Sequence, residues 1–242
     1  MRLTIANISK SVSATDFRAA VTAIRRQVNE DFGPEWSVTA TLRGTSLSLA
    51  SKAPIQGKHD AILYLGDAAA DPTTGVTGAL GYHAVNHKDV PYGFVYLDIC
   101  AEYGEEWTTT LSHEVLELLA DPTAMLTVTG PAPLGKGSVY YDLEVCDPTQ
   151  GDSYEVDGVV VSNFVGKHYF GLAGGSGQTN FLGLTLKPLG VRPSGYFQYE
   201  DRAGAHQIQG ERVSERMLAA RERMKLVRRN ARRLARLTPT DI

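Results

Sequence analysis

The sequence predicts an α+β fold, and three observations support this prediction. Its 242 residues, 43% hydrophobic and 21% charged, have the composition of an ordinary globular protein that can bury a sizeable core. Short stretches with β-strand character recur throughout. Three segments, residues 15–29, 108–122 and 213–234, have helical periodicity instead. The order is therefore strand, helix, several strands and a second helix, followed by further strands and a C-terminal basic helix.

The N-terminal elements are predicted from their apolar spacing. Residues 3–8 alternate loosely, as a first strand does, and Ser13 or Thr15 can cap a helix that continues to about residue 29. The apolar positions that give this helix its buried face are Phe17, Val21, Ile24 and Val28.

Several strands should follow before the second helix. Residues 36–50 suggest two short β stretches broken at Arg43-Gly44, and residues 61–65 suit a central strand. Residues 94–99 predict another strand, with the second helix directly after it. Between the strands at residues 61–65 and 94–99, the Gly-rich stretch from residue 78 to 87 predicts a loop. Its histidines, His83 and His87, are expected to be solvated and not metal ligands.

The segment 108–122 should form a buried helix with a polar seam. His113, Glu117 and Asp121 are four residues apart and drift by only about 40° per step on an α-helix, so they line one stripe. Glu114 lies one residue round from it. Apolar side chains cover the rest of the helix: Val115, Leu116, Leu118 and Leu119.

A bound cation would explain why a core helix keeps an imidazole and several carboxylates, since unpaired buried charges are costly. His113 and Glu117 have the i, i+4 spacing of metal ligands, and Glu114 stands where a general base would act on water. Two carboxylate ligands would neutralise a divalent ion, which would weaken hydrolysis or favour a harder metal such as manganese. The alternative is a solvated face with ion pairs, against which the apolar surroundings argue.

A third ligand is expected between residues 139 and 148. If this stretch is a strand, Glu144 points to the same side as Asp142 and Cys146, and we predict it as the third ligand. Asp147 competes with it, although an Asx-turn into Pro148 explains Asp147 equally well. Asp121 stays a further alternative. Tyr154 and His168 could donate to a transition state, but a structural role is favoured for both, and Asp157-Gly158 predicts a tight hairpin turn.

A wider set of motifs resembles a group of uncharacterised bacterial proteins that are similar to zincin metallopeptidases of the gluzincin or metzincin kind. The resemblance covers about residues 1–200 and implies a zincin-like mixed sheet and metal chemistry with zinc, but it does not imply a substrate. A peptide or protein substrate is expected instead from the metal-assisted hydrolysis that Glu114 would catalyse. The motif H-E-x-x-E stands here in place of H-E-x-x-H. We therefore predict a metal-dependent hydrolase in which Glu114 activates water, or alternatively a catalytically inactive protein of the same fold that serves binding or assembly. The motifs are E-D-F-G-P, G-A-L-G-Y-H, P-Y-G-F-V, S-H-E-V-L-E-L-L-A-D-P, E-V-C-D-P and D-G-V-V-V-S-N-F.

The C-terminal segment differs from the rest in charge. Residues 211–242 contain ten Lys or Arg and four Asp or Glu, although the net charge of the whole protein is -3. We predict a domain over residues 1–205 and a basic helical tail over residues 206–242 that contacts a protein partner or a second copy in preference to nucleic acid. The apolar seam of this tail is Val213, Met217, Ala220, Met224, Val227, Ala231 and Leu234.

The sequence shows no targeting segment and contains only two cysteines. The N-terminus has no apolar run of signal-peptide length, and no stretch is apolar for long enough to cross a membrane, so a cytoplasmic location is expected. Cys100 and Cys146 are too few for a disulfide framework and are expected to be buried thiols.

Overall fold

The computed structural model describes residues 1–46, 60–68, 80–86, 89–135, 137–215, 217–219 and 221. Within them the protein adopts an α+β fold, as predicted, with separate sheets in its N-terminal and C-terminal parts. No helix among these residues is long and apolar enough to span a bilayer.

A five-stranded mixed sheet forms the N-terminal part. Its order is β2-β1-β3-β5-β4, in which β4 is the antiparallel edge strand and the other neighbours are parallel. The parallel strand β3 lies in the middle, as its apolar run predicts, because a central strand is buried on both faces. The strands are β1 (Arg2–Asn7), β2 (Thr41–Ser46), β3 (Asp60–Gly66), β4 (Gly81–Val85) and β5 (Pro91–Tyr96).

The first helix begins where the sequence predicts. The Ser13 side chain accepts a hydrogen bond from the backbone N–H of Asp16 and caps α1 (Ala14–Arg26). A π-helical segment (Gln27–Phe32) and the short α2 (Gly33–Trp36) follow it directly. The four apolar positions predicted for the buried face are all buried in the main core.

The second long helix is α4 (Trp107–Ala120), which packs against β4 and β5. It ends before Asp121, whose position in front of Pro122 disfavours helical geometry. A short helix, α3 (Leu97–Tyr103), stands between β5 and α4, so the prediction that α4 follows a strand directly was wrong.

The C-terminal part adds a four-stranded antiparallel sheet, in the order β11-β10-β7-β6, and a two-stranded hairpin. The hairpin turn is the predicted Asp157-Gly158 pair, and both residues have the positive φ that a two-residue turn requires. Its strand β9 packs against α4 and so buttresses this helix. The strands are β6 (Thr127–Pro131), β7 (Ser138–Asp142), β8 (Ser153–Val156), β9 (Val159–Ser162), β10 (Tyr196–Asp201) and β11 (Gly204–Gln209).

The predicted break at Arg43-Gly44 is wrong, because β2 continues through it. Gly44 pairs with Ile5 in the parallel ladder. A Cβ atom on Gly44 would lie 3.0 Å from Val21 and 3.1 Å from Phe17, so the glycine serves close packing of α1 on the sheet and not a turn.

The predicted domain boundary after residue 205 falls inside β11, which pairs with β10 over Gly204–Gln209. The start of the basic segment also contacts the body. Arg221 is buried, lies over the ring of Tyr196 at 4.2 Å, and donates hydrogen bonds to Gln150 and Gln209. Most of the predicted seam of the tail, from residue 222 onward together with Ala220, lies outside the described residues.

Candidate metal centre

The polar seam of α4 is buried, as predicted. The exposed fraction is 9% for His113, 4% for Glu114 and 0% for Glu117. These side chains lie between the sheet and the segment that follows β7, because the rest of the helix surface is apolar and is itself packed in the core. Ionisable groups in such a place need partners or a counter-ion.

His113 and Glu117 meet Asp147 at one end of the seam. Nε2 of His113 lies 3.2 Å from Oε2 of Glu117 and 3.2 Å from Oδ1 of Asp147. A 3₁₀ turn, Asp147–Thr149, brings this aspartate back toward α4. The thiol of Cys146 joins His113 and Glu117 in a group whose ligand atoms lie within 4.8 Å of one another.

A second group of ligand atoms lies next to the first and shares Glu117 with it. His83, Glu114 and Glu117 also place their ligand atoms within 4.8 Å of one another. Nδ1 of His83 is 3.5 Å from Oε2 of Glu114 and 4.0 Å from Oε2 of Glu117. On the other side of the ring, Nε2 of His83 is 4.0 Å from Oε2 of Glu144.

The position of His83 corrects the expectation of a solvated loop. His83 belongs to the edge strand β4, opposite Gly93 of β5, and its exposed fraction is 3%. The glycines before His83 suggested a loop, but this segment is a strand. Gly81 allows α4 to approach β4 closely and does not form a turn. A Cβ atom on Gly81 would lie 2.8 Å from Cγ of Glu114, so the strand and α4 could not pack as closely with a larger residue. His87 lies outside the described residues.

The carboxylates control the charge of both imidazoles. Burial by itself lowers the pKa of His83, but Glu144, Glu114 and Glu117 outweigh it and raise this pKa to about 9. Burial likewise lowers the pKa of His113, and the carboxylates of Glu117 and Asp147 reverse this and raise it well above its usual value. Without a metal, both rings are therefore protonated at neutral pH.

The donors fit a divalent cation in charge and spacing. The cluster contains four buried carboxylates, and when all are ionised two negative charges remain even if both imidazoles are protonated. In a tetrahedral zinc site with bonds of about 2.1 Å, neighbouring ligand atoms are roughly 3.4 Å apart. The two contacts of His113, at 3.2 Å each, are close to this value. The buried His, Glu and Cys side chains could therefore hold a metal ion.

Of the predicted ligands, His113 and Glu117 come together, whereas Glu144 and the competing Asp147 belong to neither group of ligand atoms within 4.8 Å among the described residues. For Glu144 the reason is local geometry. β7 ends at Asp142, so the strand alternation that suggested Glu144 does not extend to it. Glu144 instead faces His83, and its role as a metal ligand stays a prediction. Glu114 is the neighbour of His83 and stays the predicted base.

The remaining alternatives have structural contacts. Both oxygens of Asp121 accept hydrogen bonds, from the backbone N–H groups of Thr123 and Leu126, and so stabilise the turn after α4. The hydroxyl of Tyr154 donates to Asp31 at 2.7 Å, and His168 is exposed.

The sequence analysis treated His83 as a loop residue and did not include Cys146 among the candidate metal ligands. The alternation of His83 with Tyr82 and Ala84 could have indicated a strand.

Comparison of the sequence with protein-family models, with curated proteins and with solved structures finds no match.

Proposed function

We propose that this protein is a metal-dependent hydrolase that acts on peptides or related amides, with Zn²⁺ held by His113, Glu117 and Asp147. The observation that supports this most directly is the pair of 3.2 Å contacts that bring one oxygen of Glu117 and one oxygen of Asp147 to Nε2 of the buried His113. Cys146 is an additional donor in the same group. Such a donor set suits Zn²⁺, and its carboxylates also suit Mn²⁺.

Glu114 is the general base in this proposal. A bound zinc ion would polarise a substrate carbonyl and acidify water. Glu114 follows His113 directly on α4, and its exposed fraction of 4% keeps the carboxylate out of bulk solvent. It would accept a proton from water and pass it to the leaving amine. Gly81 leaves the space in which this side chain lies.

The edge strand of the five-stranded sheet could bind an extended substrate. β4 is the antiparallel edge strand of the five-stranded sheet and contacts α4. An extended peptide can pair with the outer side of an edge strand, which would bring a scissile bond near the helix that carries the metal ligands. In this proposal the fold is the zincin-like one that the resemblance of the sequence motifs implies.

A turnover assay with a carboxyl-to-amide substitution tests the proposal. Wild type and Glu114→Gln, each loaded with one equivalent of zinc, would be compared on a peptide library. Because general bases contribute roughly 10²- to 10⁴-fold, we expect kcat to fall at least 100-fold in the variant while it still binds zinc. Glu155→Gln, an exposed carboxyl-to-amide change on β8, is the matched control and should be as active as wild type. Equal turnover by Glu114→Gln would remove Glu114 from the mechanism.

A second candidate is a binding or assembly protein whose metal only stabilises the fold. The burial of the centre favours it, because structural zinc sites are closed whereas catalytic sites keep an open position. Zinc binding without turnover by either wild type or Glu114→Gln would support this candidate.

A further inference from the structure

We propose that His83, Glu114 and Glu117 bind a second divalent cation, so that the fully loaded centre contains two metal ions that share Glu117. This inference rests on the proposed metal centre and deepens it. The set joins residues from two elements, since His83 is on β4 and the two glutamates are on α4.

The first argument is the environment of His83. Its side chain is buried, yet neither ring nitrogen makes a hydrogen bond within the part of the protein that the structure describes. Oε2 of Glu114 is buried and also makes none there. Their separation of 3.5 Å is longer than an ordinary hydrogen bond. A buried imidazole normally has a partner, so its orientation toward Glu114 and Glu117 indicates a ligand between them.

The second argument is the spacing of the donors. Two ligand atoms bound to one zinc ion at about 2.1 Å lie roughly 3.4 Å apart in tetrahedral geometry, which is close to the His83–Glu114 separation. Glu117 is slightly farther, at 4.0 Å from Nδ1 of His83, so a small side-chain movement would complete the set. One nitrogen and two carboxylate oxygens suit Zn²⁺ or Mn²⁺.

Glu144 has the position of an orienting residue for this site. It faces Nε2 of His83, on the side of the ring away from Glu114 and Glu117. Metal-bound histidines commonly donate their second N–H to a carboxylate, which fixes the ring orientation and increases metal affinity. Glu144 is therefore a positioning residue for the second cation in this proposal.

The shared carboxylate connects the two sites. Oε2 of Glu117 is 3.2 Å from Nε2 of His113 and 4.0 Å from Nδ1 of His83, while its Oε1 accepts a hydrogen bond from the backbone N–H of Cys146. The bridging carboxylate is thus held in place from the backbone. Metal ions in two-metal sites lie about 3.5–4 Å apart, as a shared carboxylate permits. Because a second cation would engage Glu114, full loading should inhibit hydrolysis that uses Glu114 as base.

Zinc titration of the full-length protein tests this inference. After removal of metal with a chelator, ZnCl₂ alone would be added and followed by calorimetry, with bound zinc measured after dialysis. We expect two equivalents in wild type and in the control His206→Gln, and one equivalent in His83→Gln. Glu144→Gln should keep the first equivalent and bind the second about 10- to 100-fold more weakly.

A spectroscopic measurement on wild type does not depend on any variant folding. With two equivalents of Mn²⁺, electron paramagnetic resonance should show exchange coupling between ions bridged by Glu117, and not the signal of isolated ions. A single equivalent of zinc in wild type, two equivalents in folded His83→Gln, or uncoupled Mn²⁺ would each overturn the second site. Zero equivalents would overturn the first site as well, whereas absence of turnover with a single bound ion would overturn only the proposed hydrolase.

Discussion

Raising the pH of the metal-free protein from 6.5 to 9 should lower its free energy of unfolding. The pKa of His83 is about 9 in the folded protein and 6.5 as its ordinary value. Each unit of difference corresponds to about 1.4 kcal/mol, so the protonated ring contributes roughly 3 kcal/mol of stability at low pH. Because the pKa of His83 is higher in the folded than in the unfolded protein, its contribution to stability is fully present below pH 6.5 and is lost as the pH rises through 9. His113 acts in the same direction.

Zinc should reverse this pH dependence. Metal ions bind the deprotonated imidazole, so protons compete with zinc below pH 9. Zinc affinity should therefore increase about tenfold per pH unit for each proton displaced. At a free zinc concentration of about 100 Kd the bound ion stabilises the fold by about 2.7 kcal/mol. The same pH change thus weakens the metal-free protein and increases the stabilisation that zinc provides.

Urea unfolding at pH 6.5, 7.5 and 8.5, with chelator or with zinc, measures both effects. His83→Gln is the control, because it should remove about half of the slope from the metal-free series and leave the part that His113 contributes. The buried cysteine thiols interfere little, since their ordinary pKa of 9.0 is at the upper end of the range and burial raises it further. A metal-free protein whose stability is constant or increases from pH 6.5 to 8.5 would refute the assignment of charge to these imidazoles.

Three further substitutions test the packing around the centre. Gly81→Ala should cost about 1–3 kcal/mol, because the new methyl group overlaps Glu114, and unchanged stability in urea would contradict this close contact. Asp121→Ala should cost roughly 1.5–3 kcal/mol through lost charged hydrogen bonds but leave zinc stoichiometry unchanged; loss of one equivalent would instead make Asp121 a ligand. Arg221→Ala should lower stability by about 2 kcal/mol by removing a buried contact with Tyr196, and a neutral result would show that this part of the tail does not stabilise the body.

The local elements near the N-terminus followed from the sequence. Ser13 is the cap out of the two predicted candidates, Ser13 and Thr15. The buried face of α1 and the end of α4 before Pro122 depend on neighbouring residues alone, so periodicity and cap chemistry were enough to predict them. The buried polar seam of α4 also followed from spacing, because residues four apart share one face of a helix.

The predictions that were wrong concern glycines within strands and the position where a strand ends. Gly44 and Gly81 resemble turn or loop signals in the sequence, but each lies in a strand that is approached closely by a helix. Whether a glycine provides a turn or close packing depends on what lies across from it, and this is not encoded in the adjacent residues. For the same reason the extent of β7, and with it the direction of Glu144, could not be determined from alternation.

By itself, the sequence determined which helix carries the ionisable seam and that His113 and Glu117 share its face. Only the tertiary structure decided which other residues face that helix. Strand pairing placed His83 of β4 over Glu114, and a 3₁₀ turn brought Asp147 to His113, although the two are 34 positions apart in the sequence. The physical reason is that helical spacing is fixed by local hydrogen bonds, whereas contacts between distant segments depend on how the sheet and α4 pack together.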